Sequence, residues 1–166
     1  MTHRSIHSKF LASTIAGLLS IPAGLAGAVT LLSPAVAEAN VTSASCRIHA
    51  VEATPDGDGT IPKDLEFLSD QLQAPEFARY KGFRLVEVKD FKLEVGSAVE
   101  KKFKSGHIVK LSLLGGEQDK LDLHTEILRG ASSVTSLDFA LKVAQLMLIP
   151  VRRGDQAIIF AYQCKS

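Results

Sequence analysis

From Phe83 onward the chain changes side-chain character at every second residue, and that period decides what it can fold into. In LDLHTEIL the apolar residues Leu121, Leu123 and Ile127 alternate with Asp122, His124 and Glu126. Successive side chains of a strand point to opposite faces, so the pattern predicts a β-strand with one buried and one solvated face. FRLVEVKDFKLEV sets Phe91, Leu93 and Val95 against Lys92 and Glu94 in the same way. VEKKFK and HIVKLSLL flank Ser105-Gly106 as a hairpin, and GGEQDK and RGASS are the next turns. LMLIP and AIIFAYQC form a final hairpin around VRRGDQ, and CRIHAVEAT is a first strand. SLDFALKVAQLML fits two patterns. Leu137, Phe139, Leu141 and Val143 alternate as in a strand, while Leu137, Leu141, Ala144 and Leu148 would line a helix. The unbroken alternation and the neighbouring hairpins favour the strand.

One segment follows a different period. IPKDLEFLSDQLQ places Leu65, Leu68 and Leu72 at helical spacing, with Pro62 near the first turn and Asp64 and Glu66 at the positive end of the helix dipole. EFARY adds one further turn. The fold class expected is therefore α+β: an antiparallel β meander of six or seven strands, or a sandwich-like sheet, with one short amphipathic helix after the first strand. The helix is expected to cover part of the apolar face or one open end.

The N-terminal part of the 166-residue chain follows neither pattern. MTHRSIHSKF carries Arg4 and Lys9 and no acid, and Phe10 to Leu32 carries no charge. Small residues Ala35 and Ala37 then flank Val36. A basic start, an apolar run and an A-x-A step predict a secretory signal peptide over residues 1–37, cleaved after Ala37 or, second, after Ala39. Left uncleaved, the run is long enough to span a bilayer as an anchor. Residues 38–45 read as a polar leader and 46–166 as a single domain. Loss of Arg4 and Lys9 leaves 17 basic against 18 acidic residues, a net charge of −1. No basic stripe remains, so nucleic acid is a poor partner.

Export bears on the two cysteines. Cys46 opens the first expected strand and Cys164 closes the last. Terminal strands of small β domains often lie side by side, and an oxidising compartment allows their sulfurs to bond. A Cys46–Cys164 disulfide is expected, with a periplasmic or secreted location.

Few residues carry the marks of a reactive or metal-binding site. Asp122, His124 and Glu126 are metal-ligand types on one strand face, but the first and third lie about 13 Å apart on a straight strand. His49 and His107 are the remaining candidate ligands, and a solvated outer face is the better reading; no metal or cofactor is expected. PDGDGT fails as a calcium loop, because counting from Asp56 the positions that need Gly and Glu hold Ile61 and Phe67. There is no G-x-S-x-G elbow, P-loop or dinucleotide fingerprint. Asn40-Val41-Thr42 is formally a glycosylation sequon, and Arg153-Gly154-Asp155 supplies what a turn requires. A non-enzyme is expected.

YKGFRLVE, LEVGSAVEKKFKSGHIVKLSLLGG and LDLHTEILRG, together with the order of leader, strand, proline-opened helix and hairpins, resemble a group of small secreted bacterial envelope proteins without assigned activity. The resemblance covers most of residues 46–163. It implies an exported β-rich domain and carries no catalytic residue. The expected function is a non-catalytic binding or scaffolding module with an envelope protein as partner, or alternatively an inhibitor or regulator of a secreted hydrolase. Contact with a membrane is expected only through an uncleaved N-terminal segment. LMLIP and AIIFA are apolar on both faces, which predicts either a buried centre or a partner-binding face exposing Met147 or Ile158. The open sheet edges are expected near Phe83–Val95 or at this final hairpin.

Overall fold

The computed structural model describes residues 40–166, so the signal peptide read over residues 1–37 lies outside the described residues. The alternating segments become eight strands: β1 (Ser43–Thr54), β2 (Gly82–Glu94), β3 (Ala98–Lys102), β4 (His107–Glu117), β5 (Lys120–Arg129), β6 (Ser132–Lys142), β7 (Leu146–Arg153) and β8 (Gln156–Lys165). They form two four-stranded antiparallel sheets, ordered β2-β1-β8-β7 and β3-β4-β5-β6. Only the second is a simple meander. In the first, β8 returns from the far end of the sequence to lie beside β1, and a sandwich results. Residues before Cys46 already pair with the sheets: Val41 N–H donates to Gly116 O (3.1 Å) and Val95 N–H to Thr42 O (3.0 Å).

The two inner faces supply one core. Even-numbered residues of β1 and β8 (Ile48, Ala50, Phe160, Tyr162) meet odd-numbered residues of β4 and β5 (Val109, Leu111, Leu121, Leu123). The outer face of the meander is polar, as its alternation requires. The first sheet differs because its outer face is also buried over half its length. Val51, Ala53, Ala157, Ile159 and Ala161 pack there beneath Leu65, Leu68, Leu72, Phe77 and Tyr80.

These covering residues come from the excursion between β1 and β2. It is a 3-10 helix (Lys63–Leu68) running into one α-helical turn, α1 (Ser69–Leu72), with a second 3-10 turn at Pro75–Phe77. The amphipathic helix expected here is thus mostly 3-10. Leu65 and Leu68 are three apart, the spacing that stacks on a 3-10 face. The excursion is clipped shut at its base: Gly59 N–H donates to Lys81 O (2.9 Å) and Lys81 N–H to Thr54 O (2.8 Å). Gly57, at φ 145°, is required in that clip, because a Cβ there would lie 2.5 Å from Lys81 O.

Three β-bulges interrupt the registers and account for residues that break the alternation. Pairing jumps from Leu113↔Leu123 to Gly115↔Asp122, and from Ile127↔Thr135 to Leu128↔Ser133. The skipped residues, Leu114 and Val134, are among the exposed large hydrophobics. Val86 is skipped in the same way opposite Ala50 and Val51. The ambiguous stretch SLDFALKVAQLML is two strands broken at Val143–Gln145. There Ala144 adopts φ 66°, a left-handed conformation costing a non-glycine residue roughly 1–2 kcal/mol.

A single polar chain crosses the core. Tyr162 on β8 is fully buried, and its hydroxyl lies 2.9 Å from Thr125 Oγ1 on β5. Thr125 in turn donates to Lys110 O on β4 at 3.2 Å, which leaves the tyrosine as donor in the first bond. Burial pushes the Tyr162 hydroxyl far above its usual range, so it stays protonated. Tyr162→Phe removes one donor and leaves the threonine bond intact, which predicts a loss of about 1 kcal/mol in urea unfolding. Thr125→Val strands the phenol and predicts a larger loss, about 1–3 kcal/mol.

Cys46 and Cys164 are direct partners across β1 and β8, with Cα atoms 4.1 Å apart, and they are disulfide-bonded. The bridge spans 118 positions of sequence. By the chain-entropy model, closing so long a loop stabilises the fold by about 4–5 kcal/mol. Cys164→Ser should therefore lower the unfolding midpoint sharply and leave Cys46 as the single alkylatable thiol after denaturation.

Candidate functional site

The expected metal-ligand types do not converge. Asp122, His124 and Glu126 lie side by side on the outer face of the meander, each engaged by a neighbour. His124 Nδ1 meets Asp138 Oδ1 at 2.6 Å, Lys120 Nζ lies 3.8 Å from Asp122, and Lys110 Nζ lies 3.5 Å from Glu126. His49 and His107 are buried at other places in the sandwich. Among the described residues no three His, Cys, Asp or Glu side chains are grouped to hold a metal ion. Asn40 is exposed. Gly154 and Asp155 form the β7–β8 turn, where Asp155 pairs with Arg79 at 3.6 Å.

What the fold does build is a groove. The cover formed by residues 61–80 stops short of β7, the edge strand of the first sheet. Between them is a cleft of about 530 Å³ floored by Leu146 and Leu148 and walled by Phe77 and Tyr80. Asp70 and Glu76 stand on one rim and Arg152 on the other. Both floor residues are half-buried, whereas Ala161, the β8 partner of Leu148, is fully buried.

The two-sided apolar character of LMLIP and AIIFA has its reason here. On β8 the second face is covered by the chain's own excursion. On β7 it is covered only in part, and the remainder lines the groove. Neither Met147 nor Ile158 is fully exposed; both pack against the inter-sheet core. Pro150 in β7 has no N–H to give to a ladder, which suits an edge position. The edges of the first sheet fall where the sequence placed them, at β2 and at the β7 side of the final hairpin, while β3 and β6 are the edges of the second. The edge at β2 is, however, charged along its length by Glu87, Lys89, Asp90, Lys92 and Glu94. That is a common protection against pairing with another chain. Of the two edges of the first sheet, β7 is the less charged.

A second cleft of about 550 Å³ lies on the uncovered half of the same outer face, beside the strand segments that hold the disulfide. Arg47 and Asp90 cross it as an ion pair at 2.7 Å. The hydrogen bond to Arg47 holds the Asp90 carboxyl below its usual range. Between the two halves, His49 lies under Phe67, with ring centroids 4.7 Å apart. Its Nδ1 has no hydrogen-bond partner among the described residues. Burial lowers the His49 pKa, partly offset by a backbone hydrogen bond at Ala161.

No family model, curated protein or solved structure matches this chain. No helix among the described residues is long and apolar enough to cross a membrane.

His49 and His107 both titrate below the ordinary imidazole value in the folded chain, chiefly because burial disfavours the charged ring. Unfolded imidazoles titrate near about 6.5, so below that pH the unfolded chain takes up protons that the folded chain refuses. Stability should thus be level above about pH 7 and fall as the pH drops through the imidazole range, before the carboxylates titrate. His49→Gln should flatten that slope in urea unfolding followed against pH.

Proposed function

We propose that the chain is an exported, non-catalytic module that binds an extended segment of another extracytoplasmic protein along β7. The observation that carries the reading is the groove: half-buried Leu146 and Leu148 lie beside a sheet edge that the chain's own cover leaves open. An extended partner would meet outward backbone groups of β7 near Leu146 and Leu148. Its alternate side chains would enter the apolar cleft, the arrangement that gives strand addition its affinity and its specificity. Pro150 would end the pairing after a few residues. The acidic rim at Asp70 and Glu76 favours a segment with a basic residue beyond its apolar positions. The disulfide fits an oxidising compartment, and the basic, apolar and A-x-A order of residues 1–37 supports export.

A photo-crosslinking residue at Gln71, on the groove wall, tests this in the producing cell. It should trap one envelope or secreted protein through an extended segment identified by mass spectrometry. The same residue at Ser112, on the polar face of the meander, should not. Leu148→Lys should abolish the Gln71 adduct while leaving the disulfide and the near-ultraviolet circular dichroism unchanged. Adducts that persist after Leu148→Lys, or that form equally from Ser112, would refute the groove as the docking site. A trapped hydrolase whose activity falls on binding would identify the module as an inhibitor.

A further inference from the structure

The end of the sandwich that carries the β7–β8 turn holds a different kind of site. His107 opens β4 and is buried, packed edge-on against Phe160 at 5.7 Å. Its Nδ1 lies 3.1 Å from Ser105 Oγ, and its Nε2 faces Arg129 Nη2 at 3.5 Å. A guanidinium can only donate, so Nε2 is the accepting nitrogen and Nδ1 carries the proton, donated to Ser105. A neutral ring thus orients a cation.

Further cations reach the same place from other parts of the chain. Lys104 stands in the β3–β4 turn and Arg153 at the end of β7, and both line a small cavity of about 170 Å³ over His107. Among the described residues, Lys104, Arg129 and Arg153 have no carboxylate within 4.0 Å. Two acids stand close by and each is already paired, Glu52 within the cavity itself, where Arg84 lines the wall beside it. Glu52 pairs with Arg84 at 2.6 Å, while Glu87 accepts the Lys104 backbone N–H at 2.8 Å and lies 3.4 Å from Lys89.

We infer that this end of the sandwich is a binding site for a single phosphate group, held by Arg153 and Lys104 in the cavity beside a positioning imidazole, His107, against which Arg129 is set. Convergent guanidinium groups match a tetrahedral oxyanion through paired N–H donors. The cavity is smaller than the ~300 Å³ at which sites for drug-sized ligands begin, so it suits one anionic group rather than a whole organic ligand. The charges of Arg129 and Arg153 add to burial in depressing the His107 pKa, and an anion between them would reverse that contribution. The site lies apart from the β7 groove and does not depend on it.

His107 therefore reports occupancy directly. Its imidazole signals should be followed against pH by NMR in the full chain isolated from the producing cell, at constant ionic strength set with chloride. Replacing part of the chloride by inorganic phosphate should move the His107 titration toward neutral pH, saturably, with a Kd of about 1 mM or tighter. Arg153→Gln, at an exposed side chain with no hydrogen bond of its own, should weaken this by about tenfold. Arg47→Gln, on the outer face of the first sheet, should not. A parallel titration with phosphatidylglycerol vesicles, set against phosphatidylcholine, separates the sources. A response to vesicles alone would assign the phosphate to a lipid headgroup, and a response to inorganic phosphate would show that the free ion suffices. No saturable movement with either, or movement undiminished in both Arg153→Gln and Arg129→Gln, would overturn the site.

Discussion

The pairing of β1 with β8 is the constraint on which the rest of the structure depends. These strands are the centre of the first sheet, and nine consecutive residue pairs join them, from Ser45↔Lys165 to Ala53↔Ala157. One side of the pair provides Ile48, Phe160 and Tyr162 to the inter-sheet core, and the other provides Val51, Ile159 and Ala161 to the core beneath the helical cover. Both hydrophobic cores thus share one two-stranded ribbon as their common wall. The disulfide holds that ribbon at the end opposite the cover, where only the polar residues Ser45, Arg47, Gln163 and Lys165 shield its outer face.

The strands were legible because most have one wet and one dry face, and LDLHTEIL is the clearest instance. Thr125 sits at an inward position of that strand and looks like a lapse in the pattern, yet it is the partner that Tyr162 needs. Two closed layers were harder to foresee than one meander. The deciding contact, β1 against β8, joins the two ends of the domain and leaves no local trace except the cysteines. A strand buried on both faces loses its alternation, so AIIFAYQC reads as a run of apolar residues with no indication of what covers each side. Its cover lies some 90 residues upstream in LEFLSDQL, where periodicity reveals an apolar face but not its destination. The bulges at Leu114 and Val134 are likewise invisible to a period of two.

The two candidate sites differ in the same respect. Leu146, Met147 and Leu148 stand out in sequence as surplus hydrophobicity, so the groove was partly legible. The basic end was not. Lys104, Arg129 and Arg153 are spread over about fifty residues, each in or beside a glycine-containing turn where a cation raises no question. Only hairpins folded to one end of the sandwich bring them together. His107 is a metal-ligand type in sequence, but in the fold cations outnumber acids around it, an environment that disfavours a metal ion and favours an anion.

The position of β8 also governs when the structure can come into being. A chain emerging in order from a ribosome or a translocation channel can pair β1 with β2 and complete the β3–β6 meander early, since those partners are near in sequence. The central ribbon must wait for the last ten residues of β8. Until then the inner faces of both layers and the underside of the helical cover have nothing to close against. The nascent molecule is then a loose hairpin and a one-sided sheet, and its many long-range pairings make closure slow. Such a chain stays threadable until its final strand is free, and it becomes resistant to unfolding only after its two ends have met.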